Sequence, residues 1–258
     1  MVRVMINESK NVLSDNELKR YERQIILFGK ECQIKLKKAK VAVVGVGGLG
    51  SPIAFYLTAM GFGFIKLIDF DKVSLSNLNR QILHWTSDIG KVKVLSALEK
   101  LEKLNPEVEI IPIKERLTKE NAEQLLSDVD ICFDALDNWE SKLLLNEICV
   151  KLNKILIHAG VRGMYGQMLV IIPSKTPCLQ CLINGEKIKT AEKLPILGVT
   201  PAILGTLQVL EATKIITGYG KPQVGNLIVF DGFSTELELI HVEKDPNCPV
   251  CSKMQGQA

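Results

Sequence analysis

VAVVGVGGLG, residues 41–50, is the stretch that decides the fold of this chain. Its first part, Val41 to Val44, is a short apolar run of the kind that forms a buried parallel strand. A G-x-G-x-x-G turn follows and leads into an apolar helical segment, Leu49 to Ala59. Glycines permit a tight turn, and the helix N-terminus offers unpaired N–H groups to phosphates. The pattern predicts nucleotide binding at Gly45, Gly47, Gly48 and Gly50, with glycines that serve only packing as the alternative.

Strands and helices alternate on both sides of this stretch. The capping-box pattern of Ser14 and Glu17 predicts a helical arm before it. Further strands are predicted at 64–68, 108–113, 129–133 and 154–157, and helices at 91–104, 119–126 and 138–152. This rhythm predicts an α/β fold with a doubly wound, Rossmann-like sheet. Beyond Gly160, strands at 167–172, 227–230 and 237–242 and a helix at 202–217 predict that the parallel sheet becomes mixed.

Composition and charge narrow the function classes. The 258 residues are 47% hydrophobic and carry a formal net charge of +3, without the basic excess of a dedicated nucleic-acid binder. The longest uncharged stretch, 194–210, is shorter than the ~20 residues of a membrane span, and we expect a buried loop and helix there. The first ten residues have no apolar signal-peptide run. We therefore expect a cytoplasmic protein with neither a nucleic-acid nor a membrane partner.

Three charged positions follow predicted strands or turns near the glycine loop. Asp69 ends the second strand, where a carboxylate can hydrogen-bond a ribose hydroxyl. Arg80 and Lys93 carry the cationic groups that a triphosphate requires. Taken singly, each of these two would be read as a solvated surface charge, but beside a glycine loop a site is favoured.

Asp137 follows the strand at 129–133, at the sheet edge where open α/β folds bind ligands. A carboxylate there could hold magnesium together with phosphate oxygens. The alternative is that Asp137 or Asn138 only caps the helix that follows. Capping and metal binding can share this sequence.

The cysteines form two C-x-x-C pairs, Cys178 with Cys181 and Cys248 with Cys251. In a reducing cytosol such pairs favour metal binding over disulfides. Four thiolates in a tetrahedron make a structural zinc site that is closed to substrate. The alternative, two unrelated redox or buried pairs, is weaker for two pairs in one chain.

Together these strings resemble the MoeB/ThiF/HesA family, prokaryotic relatives of ubiquitin-activating enzymes, and within it the molybdopterin-synthase adenylyltransferases. The likeness extends from Leu18 to Cys251. It is carried by the segments RYERQI (20–25), the glycine loop, Asp69 with SNLNRQ (76–81), Asp137-Asn138 and the two cysteine pairs.

The resemblance implies an adenylyltransferase that uses ATP, magnesium and zinc. The nucleotide would contact Gly45, Gly47, Gly48, Gly50, Asp69, Asp71, Ser76, Asn77, Leu78, Asn79, Arg80, Lys93, Asp137 and Asn138. The catalytic residues would be Arg23, Arg80, Lys93 and Asp137, with Arg23 reaching into the other subunit of a homodimer. Zinc would be held by Cys178, Cys181, Cys248 and Cys251.

The resemblance also implies the substrate, a small ubiquitin-like sulfur-carrier protein that ends in Gly-Gly. Its carboxylate would attack the α-phosphate of ATP, giving an acyl adenylate and pyrophosphate before sulfur transfer. We expect one domain over 1–258, with a helical arm (1–38), a nucleotide-binding half (39–160) and a zinc- and partner-binding half (161–258).

One position departs from the family pattern. Many relatives have a cysteine after a threonine in the loop beyond the first cysteine pair, whereas here Thr190 is followed by Ala191. We therefore expect that the protein stops at the adenylate or receives sulfur through a separate donor. The pathway stays open among molybdenum cofactor, thiamine, tRNA thiolation and protein modification.

Two other functions compete with adenylation. An NAD-dependent oxidoreductase would explain the glycine loop and Asp69 but would leave Arg80 unused. A non-catalytic scaffold that binds nucleotide and a partner has no evident need for Arg23, Arg80, Lys93 and Asp137. The identity of the bound nucleotide and a test of turnover would separate these functions.

Overall fold

The computed structural model of the chain describes residues 12–183 and 194–252. The strands are β1 (Lys40–Val44), β2 (Phe64–Ile68), β3 (Glu109–Ile113), β4 (Ile131–Asp134), β5 (Ile155–Arg162), β6 (Tyr165–Ile171), β7 (Asn226–Asp231) and β8 (Glu236–His241). The helices are α1 (Asp15–Arg20), α2 (Glu22–Lys38), α3 (Gly50–Met60), α4 (Lys93–Leu104), α5 (Ala122–Leu126), α6 (Trp139–Lys151), α7 (Leu179–Ile183) and α8 (Val199–Thr217).

The eight strands form one sheet in the order β3-β2-β1-β4-β5-β6-β7-β8. The pairs from β3 to β5 are parallel, and the pairs from β5 to β8 are antiparallel. The predicted change from a parallel to a mixed sheet is thus confirmed. Strand order reverses between β1 and β4, and ligands of open α/β sheets bind at the carboxyl side of such a switch point.

Helices cover both faces of the sheet, because successive strand residues point to opposite sides. In β1, Val41 and Val43 belong to the core beneath α3, α4 and α8, while Ala42 and Val44 belong to the core beneath α5, α6 and α7. This double burial explains why β1 is apolar at four successive positions instead of alternating.

The N-terminal arm begins as the sequence predicts and is then fixed to the domain. Ser14 and Glu17 form a complete capping box at the start of α1. The chain breaks helical geometry at Gly29, where φ is 83°, near the predicted stop. The Gln24 and Gln33 side-chain amides both donate to the Met60 carbonyl at the end of α3, so the arm is bound to the nucleotide-binding half.

Two boundaries differ from the sequence predictions. Helix α8 begins at Val199, before the predicted residue 202, and Val199 is 59% exposed. The expectation of a buried loop and helix from residue 194 is therefore wrong at its start. Strand β5 continues to Arg162 because it pairs with β6 through the hairpin, Arg162 opposite Tyr165. The expected border at 160/161 lies inside this strand.

Within the described residues, α8 is the one helix that has the length and hydropathy of a membrane span. Half of it is buried inside the domain. Leu204, Val209 and Ala212 pack into the core of the sheet, which is how the central helix of an α/β domain behaves.

Candidate nucleotide site and four-cysteine cluster

The glycine loop is held against the end of β4 by contacts that leave no room for side chains. Gly45 has φ +96°, and a Cβ there would lie 2.6 Å from the Ala135 carbonyl oxygen. A Cβ on Gly50 would lie 1.9 Å from the Gly45 oxygen. These two glycines are therefore required by the turn itself. The close approach places the loop at the switch point between β1 and β4.

The next part of the loop presents unpaired donors. The backbone N–H groups of Gly47, Gly48 and Leu49 have no acceptor among the residues that the structure describes. They lie at the N-terminus of α3, where the helix dipole favours an anion. This arrangement can bind phosphate groups without any charged side chain.

Asp69 supports the loop from the end of β2. One carboxylate oxygen accepts from the Val46 N–H at 2.7 Å, and the other accepts from the Asp71 N–H at 2.8 Å. Each oxygen keeps a lone pair for a further bond. A bond from Asp69 to a ribose hydroxyl stays a prediction that this geometry permits.

His84 fixes the same loop from the opposite direction, a role that the sequence reading missed. Its Nε2 lies 2.9 Å from the Val46 carbonyl oxygen, and its Nδ1 lies 2.9 Å from the Ser96 hydroxyl on α4. Burial lowers the pKa of His84, so the imidazole is neutral. No neighbour of His84 in the sequence indicates these partners.

The two predicted cations are placed differently. The Lys93 side chain is only 7% exposed, and its Nζ lies 2.9 Å from the Asp71 carboxylate. The reading of Lys93 as a solvated surface charge is therefore wrong. Arg80 is half-buried and donates to the Ser76 carbonyl and the Asn79 side-chain oxygen. Arg80 has no carboxylate partner within residues 12–183 and 194–252, so its charge is available to an anion.

The remaining predicted residues of the 76–81 segment lie next to Arg80 in the chain. Asn77 accepts from the Ser74 N–H at 3.0 Å and so closes the short turn Leu75–Asn77. The N–H₂ group of its side-chain amide has no acceptor among the described residues. Ser76 and Asn79 are exposed, and Leu78 is half-buried.

The start of α8 lies against the 76–81 segment and the glycine loop, a contact that the sequence did not predict. A Cβ on Gly198 would lie 2.2 Å from the Asn79 carbonyl oxygen, and one on Gly48 would lie 3.2 Å from Pro201. The Gly163 N–H donates to the Pro195 carbonyl at 2.7 Å. The segment 195–201 therefore runs from the β5–β6 turn to the glycine loop. Gly198, at the start of the helix, is the residue in the sequence that could have indicated this close contact.

Asp137 lies on the other side of the switch point, two residues beyond Ala135. It is exposed, and within the described residues its carboxylate accepts a single long bond, 3.3 Å from the Asn138 amide. Asn138 caps α6 by accepting from the Ser141 N–H at 2.9 Å. Asn138 is therefore the capping residue, and binding of a cation by Asp137 stays a prediction.

A buried charged cluster lies at the end of β4, three residues before Asp137. The fully buried Asp134 accepts from Lys142 at 3.0 Å and from His158 at 2.6 Å. Burial alone would raise the pKa of Asp134, but the Lys142 cation and the His158 hydrogen bond outweigh it and lower that pKa. Burial lowers the pKa of His158, which is therefore neutral and donates from Nδ1.

This cluster fixes the backbone of the segment that leads from β4 to Asp137. The Asp134 carboxylate also accepts from the Leu136 N–H at 3.0 Å, and Lys142 donates to the Ala159 carbonyl at 2.7 Å. One carboxylate thus joins the end of β4, helix α6 and β5. The sequence reading assigned a role only to Asp137, because the pairing of Asp134 with His158 depends on the β4–β5 register.

The four predicted metal ligands come together although 70 residues separate the two pairs. Their sulfur atoms all lie within 4.8 Å of one another. The measured separations are 3.9 Å for Cys178–Cys181, 3.7 Å for Cys178–Cys248 and 3.4 Å for Cys181–Cys251. Burial and the neighbouring thiolates raise the pKa of Cys178 to about 11. The alternative of two unrelated pairs is wrong, and the cluster is compatible with a metal ion.

Arg23 is a separate case among the predicted catalytic residues. It is exposed on α2 and forms no hydrogen bond or ion pair with any residue that the structure describes. Thr190 and Ala191, which carry the departure from the family pattern, lie outside the described residues.

The fold and the site define a nucleotide-binding α/β protein with a phosphate loop at the switch point and a four-cysteine cluster. Residues 21–250 match the ThiF family. The chain is 38% identical over 246 residues to a Thermus thermophilus protein named sulfur carrier protein adenylyltransferase, with 91% of each chain covered. This protein belongs to the ThiF family, which confirms the resemblance seen in the sequence.

A second relative and a solved structure agree. The chain is 40% identical over 249 residues to the Aedes aegypti adenylyltransferase and sulfurtransferase MOCS3, and it spans 57% of that longer protein. A crystal structure of Escherichia coli MccB with MccA-N7isoASN superposes with a TM-score of 0.81 at 25% identity, covering 94% of this chain and 76% of that one.

Proposed function

We propose that this protein adenylates the C-terminal glycine carboxylate of a small ubiquitin-like sulfur-carrier protein, with release of pyrophosphate. The observation that carries the proposal is that, within the described residues, the Gly47, Gly48 and Leu49 N–H groups have no acceptor and the neighbouring Arg80 has no carboxylate partner. The loop amides would suit the diphosphate of NAD as well, so the Arg80 cation beside them is what favours the more highly charged triphosphate of ATP. The 38% identity to a named carrier adenylyltransferase supports the same reaction.

Alignment and charge stabilisation are the tasks of this chain in such a reaction. A carboxylate is a poor acyl donor because its oxygen leaves poorly, whereas AMP leaves readily. The carboxylate oxygen forms a bond to the α-phosphorus, and the bond from that phosphorus to the pyrophosphate oxygen breaks. The glycine-loop amides and Arg80 stabilise the negative charge that moves onto the leaving phosphates.

Asp137 and Asp71 are the carboxylates that would hold magnesium beside the phosphates. Magnesium is bound through one or two carboxylates together with phosphate oxygens, and it would neutralise phosphate charge. Asp137 fits this requirement because its oxygens face solvent at the switch point. Asp71 is paired with Lys93, so it would share its charge between the lysine and the ion.

The four-cysteine cluster fits a structural zinc ion. Zinc–sulfur bonds of about 2.3 Å in a tetrahedron require sulfur atoms about 3.8 Å apart. The three measured separations, from 3.4 to 3.9 Å, bracket this value. Cys178, Cys181, Cys248 and Cys251 would fasten the segment after β8 to α7. Cysteine pairs that bind a metal instead of forming disulfides are typical of a reducing compartment, which would support a cytoplasmic location.

The antiparallel end of the sheet offers a surface for a protein substrate. All six residues of β8 are exposed, and this strand forms the sheet edge. Phe233, Leu237 and Leu239 are each more than half exposed. An exposed edge strand that carries large apolar side chains is unusual unless a partner covers it, and a carrier protein with its own sheet would do so.

A homodimer would explain the exposed face of the N-terminal arm. Ile26 and Leu27 on α2 are 74% and 61% exposed, and Arg23 beside them lacks a partner within the described residues. If Arg23 completes the site of the other subunit, a mixture of Arg23→Ala and Asp137→Asn proteins should recover activity that neither has alone. Recovery is expected because each mixed dimer contains one intact site, and no recovery would argue for sites within single chains.

ATP–pyrophosphate exchange tests the proposed reaction. We expect exchange with a carrier protein that ends in Gly-Gly and none without it, since the α-phosphorus requires the carboxylate. The matched control is the same carrier without its last glycine, which should give no exchange. Absence of exchange together with tight NAD binding would overturn the proposal in favour of an oxidoreductase. Tight carrier binding without exchange would favour a scaffold. A separate sulfur donor is tested by adding sulfurtransferases to the adenylated carrier.

A further inference from the structure

We propose that His84 is a positioning residue for ATP, which sets the orientation of the Val46–Gly47 peptide so that the Gly47 N–H faces the phosphates. The inference rests on the proposed function, since it concerns the nucleotide loop. It assigns a task to a buried histidine that does not itself reach the substrate.

The first step of the argument is the geometry of one peptide unit. In a trans peptide the carbonyl of one residue and the N–H of the next point in opposite directions. His84 Nε2 lies 2.9 Å from the Val46 oxygen and draws it toward the protein interior. The Gly47 N–H must then point outward, and it has no acceptor among the described residues.

The second step is that Val46 is held at both of its ends. Its N–H donates to the Asp69 carboxylate at 2.7 Å, while its carbonyl accepts from His84. The glycines on either side of Val46 allow the backbone dihedral angles to vary widely, so these two bonds are needed to fix the orientation of the peptide units around Val46. Without the bond from His84, the peptide could turn and present its oxygen to the phosphates.

The third step is that the tautomer of His84 is determined by its partners. A carbonyl oxygen can only accept, so Nε2 carries the hydrogen and Nδ1 accepts from the Ser96 hydroxyl at 2.9 Å. Ser96 is fully buried on α4, the helix that begins at Lys93. His84 therefore connects the phosphate loop to the helix that carries a predicted phosphate ligand.

Two substitutions of His84 separate the hydrogen bond from simple packing. A glutamine side chain places its amide nitrogen near the position of Nε2, so His84→Gln keeps the donor to Val46. An asparagine side chain reaches only the position of Nδ1, so His84→Asn keeps the contact with Ser96 and loses the one with Val46. Both introduce a buried amide, so any loss that comes from burial is shared.

The test measures ATP affinity by titration calorimetry and thermal stability by unfolding of the same full-length proteins. We expect His84→Asn to bind ATP about tenfold more weakly than wild type, the scale of one lost hydrogen bond, and His84→Gln to stay within about threefold. Equal affinities of the two variants, whether near wild type or both reduced, would overturn the inference.

Other outcomes of this test are equally decisive. Wild-type protein that binds no ATP would overturn the proposed function and this inference with it, whereas wild-type binding with no difference between the variants overturns the inference alone. Should neither His84 variant fold, Ser96→Ala takes its place, because it frees the imidazole to rotate. We then expect ATP affinity to fall about threefold, and unchanged affinity would contradict the role.

Discussion

Replacing Lys142 by methionine should show how strongly the stability of the protein depends on the cation in the buried cluster of Asp134, Lys142 and His158. The change leaves the Asp134 carboxylate fully buried without its lysine partner. Breaking a buried ion pair on one side costs about 3–5 kcal/mol. Lys151 lies on the same helix and pairs with Glu123 where both side chains are largely exposed. The matched change Lys151→Met should therefore cost no more than about 1 kcal/mol.

The loss of stability in Lys142→Met should also depend on pH, in a direction that follows from the pKa of Asp134. In the wild type the pKa of Asp134 is lowered, so its contribution is present above the unfolded pKa of about 3.9 and is lost below it. In Lys142→Met we expect the pKa of Asp134 to rise, because burial raises it and the Lys142 cation that opposes burial most strongly is gone; protonation of Asp134 or of His158 should then relieve the unpaired charge. The deficit relative to wild type should shrink between about pH 8 and about pH 5.

Urea unfolding followed by the fluorescence of Trp139 is a suitable assay, because its ring lies 5.9 Å from that of His158. Equal losses for Lys142→Met and Lys151→Met at every pH would refute the reasoning. Lys142→Arg, which restores a cation, should recover most of the stability. A failure of arginine to do so would indicate that the shape of the site, and not its charge, is what matters.

Three further changes test other parts of the site. Gly45→Ala should lose roughly 3 kcal/mol of stability, because φ is +96° and the new Cβ would lie 2.6 Å from a backbone oxygen; retained stability by thermal unfolding would contradict this. Cys248→Ser should abolish zinc binding by elemental analysis, while Cys32→Ser, outside the cluster, should keep it. Asp137→Asn should slow carrier-dependent exchange about 100-fold without changing the melting temperature, whereas Glu140→Gln should not.

The sequence predicted those parts of the fold that depend on local pattern. The apolar run at 41–44, the glycine turn and the alternation of strands and helices identify a doubly wound sheet before any coordinates are known. The pairing of Cys178–Cys181 with Cys248–Cys251 followed from metal chemistry, since two C-x-x-C pairs supply one tetrahedron. These signals are local or chemically specific, so they can be recognised without knowing the order of the strands in the sheet.

The parts that were missed depend on contacts between residues distant in sequence. The partners of His84 are Val46 and Ser96, and no spacing rule brings these residues together. Asp134 meets His158 only because β4 and β5 are adjacent and in register. The partners of both histidines therefore cannot be predicted from the sequence. The residues that hold the site in place were less visible in the sequence than those that face the nucleotide.

Transfer of oxygen from the carrier to AMP is the most direct test of the central claim, that a carboxylate attacks the α-phosphorus of ATP. A carrier labelled with ¹⁸O in its C-terminal carboxylate would be incubated with the protein and ATP, and the AMP released on hydrolysis would be examined by mass spectrometry. The account predicts AMP that carries the label, because the attacking oxygen stays bonded to phosphorus. AMP that carries only solvent oxygen would show that water attacks ATP and would contradict the account.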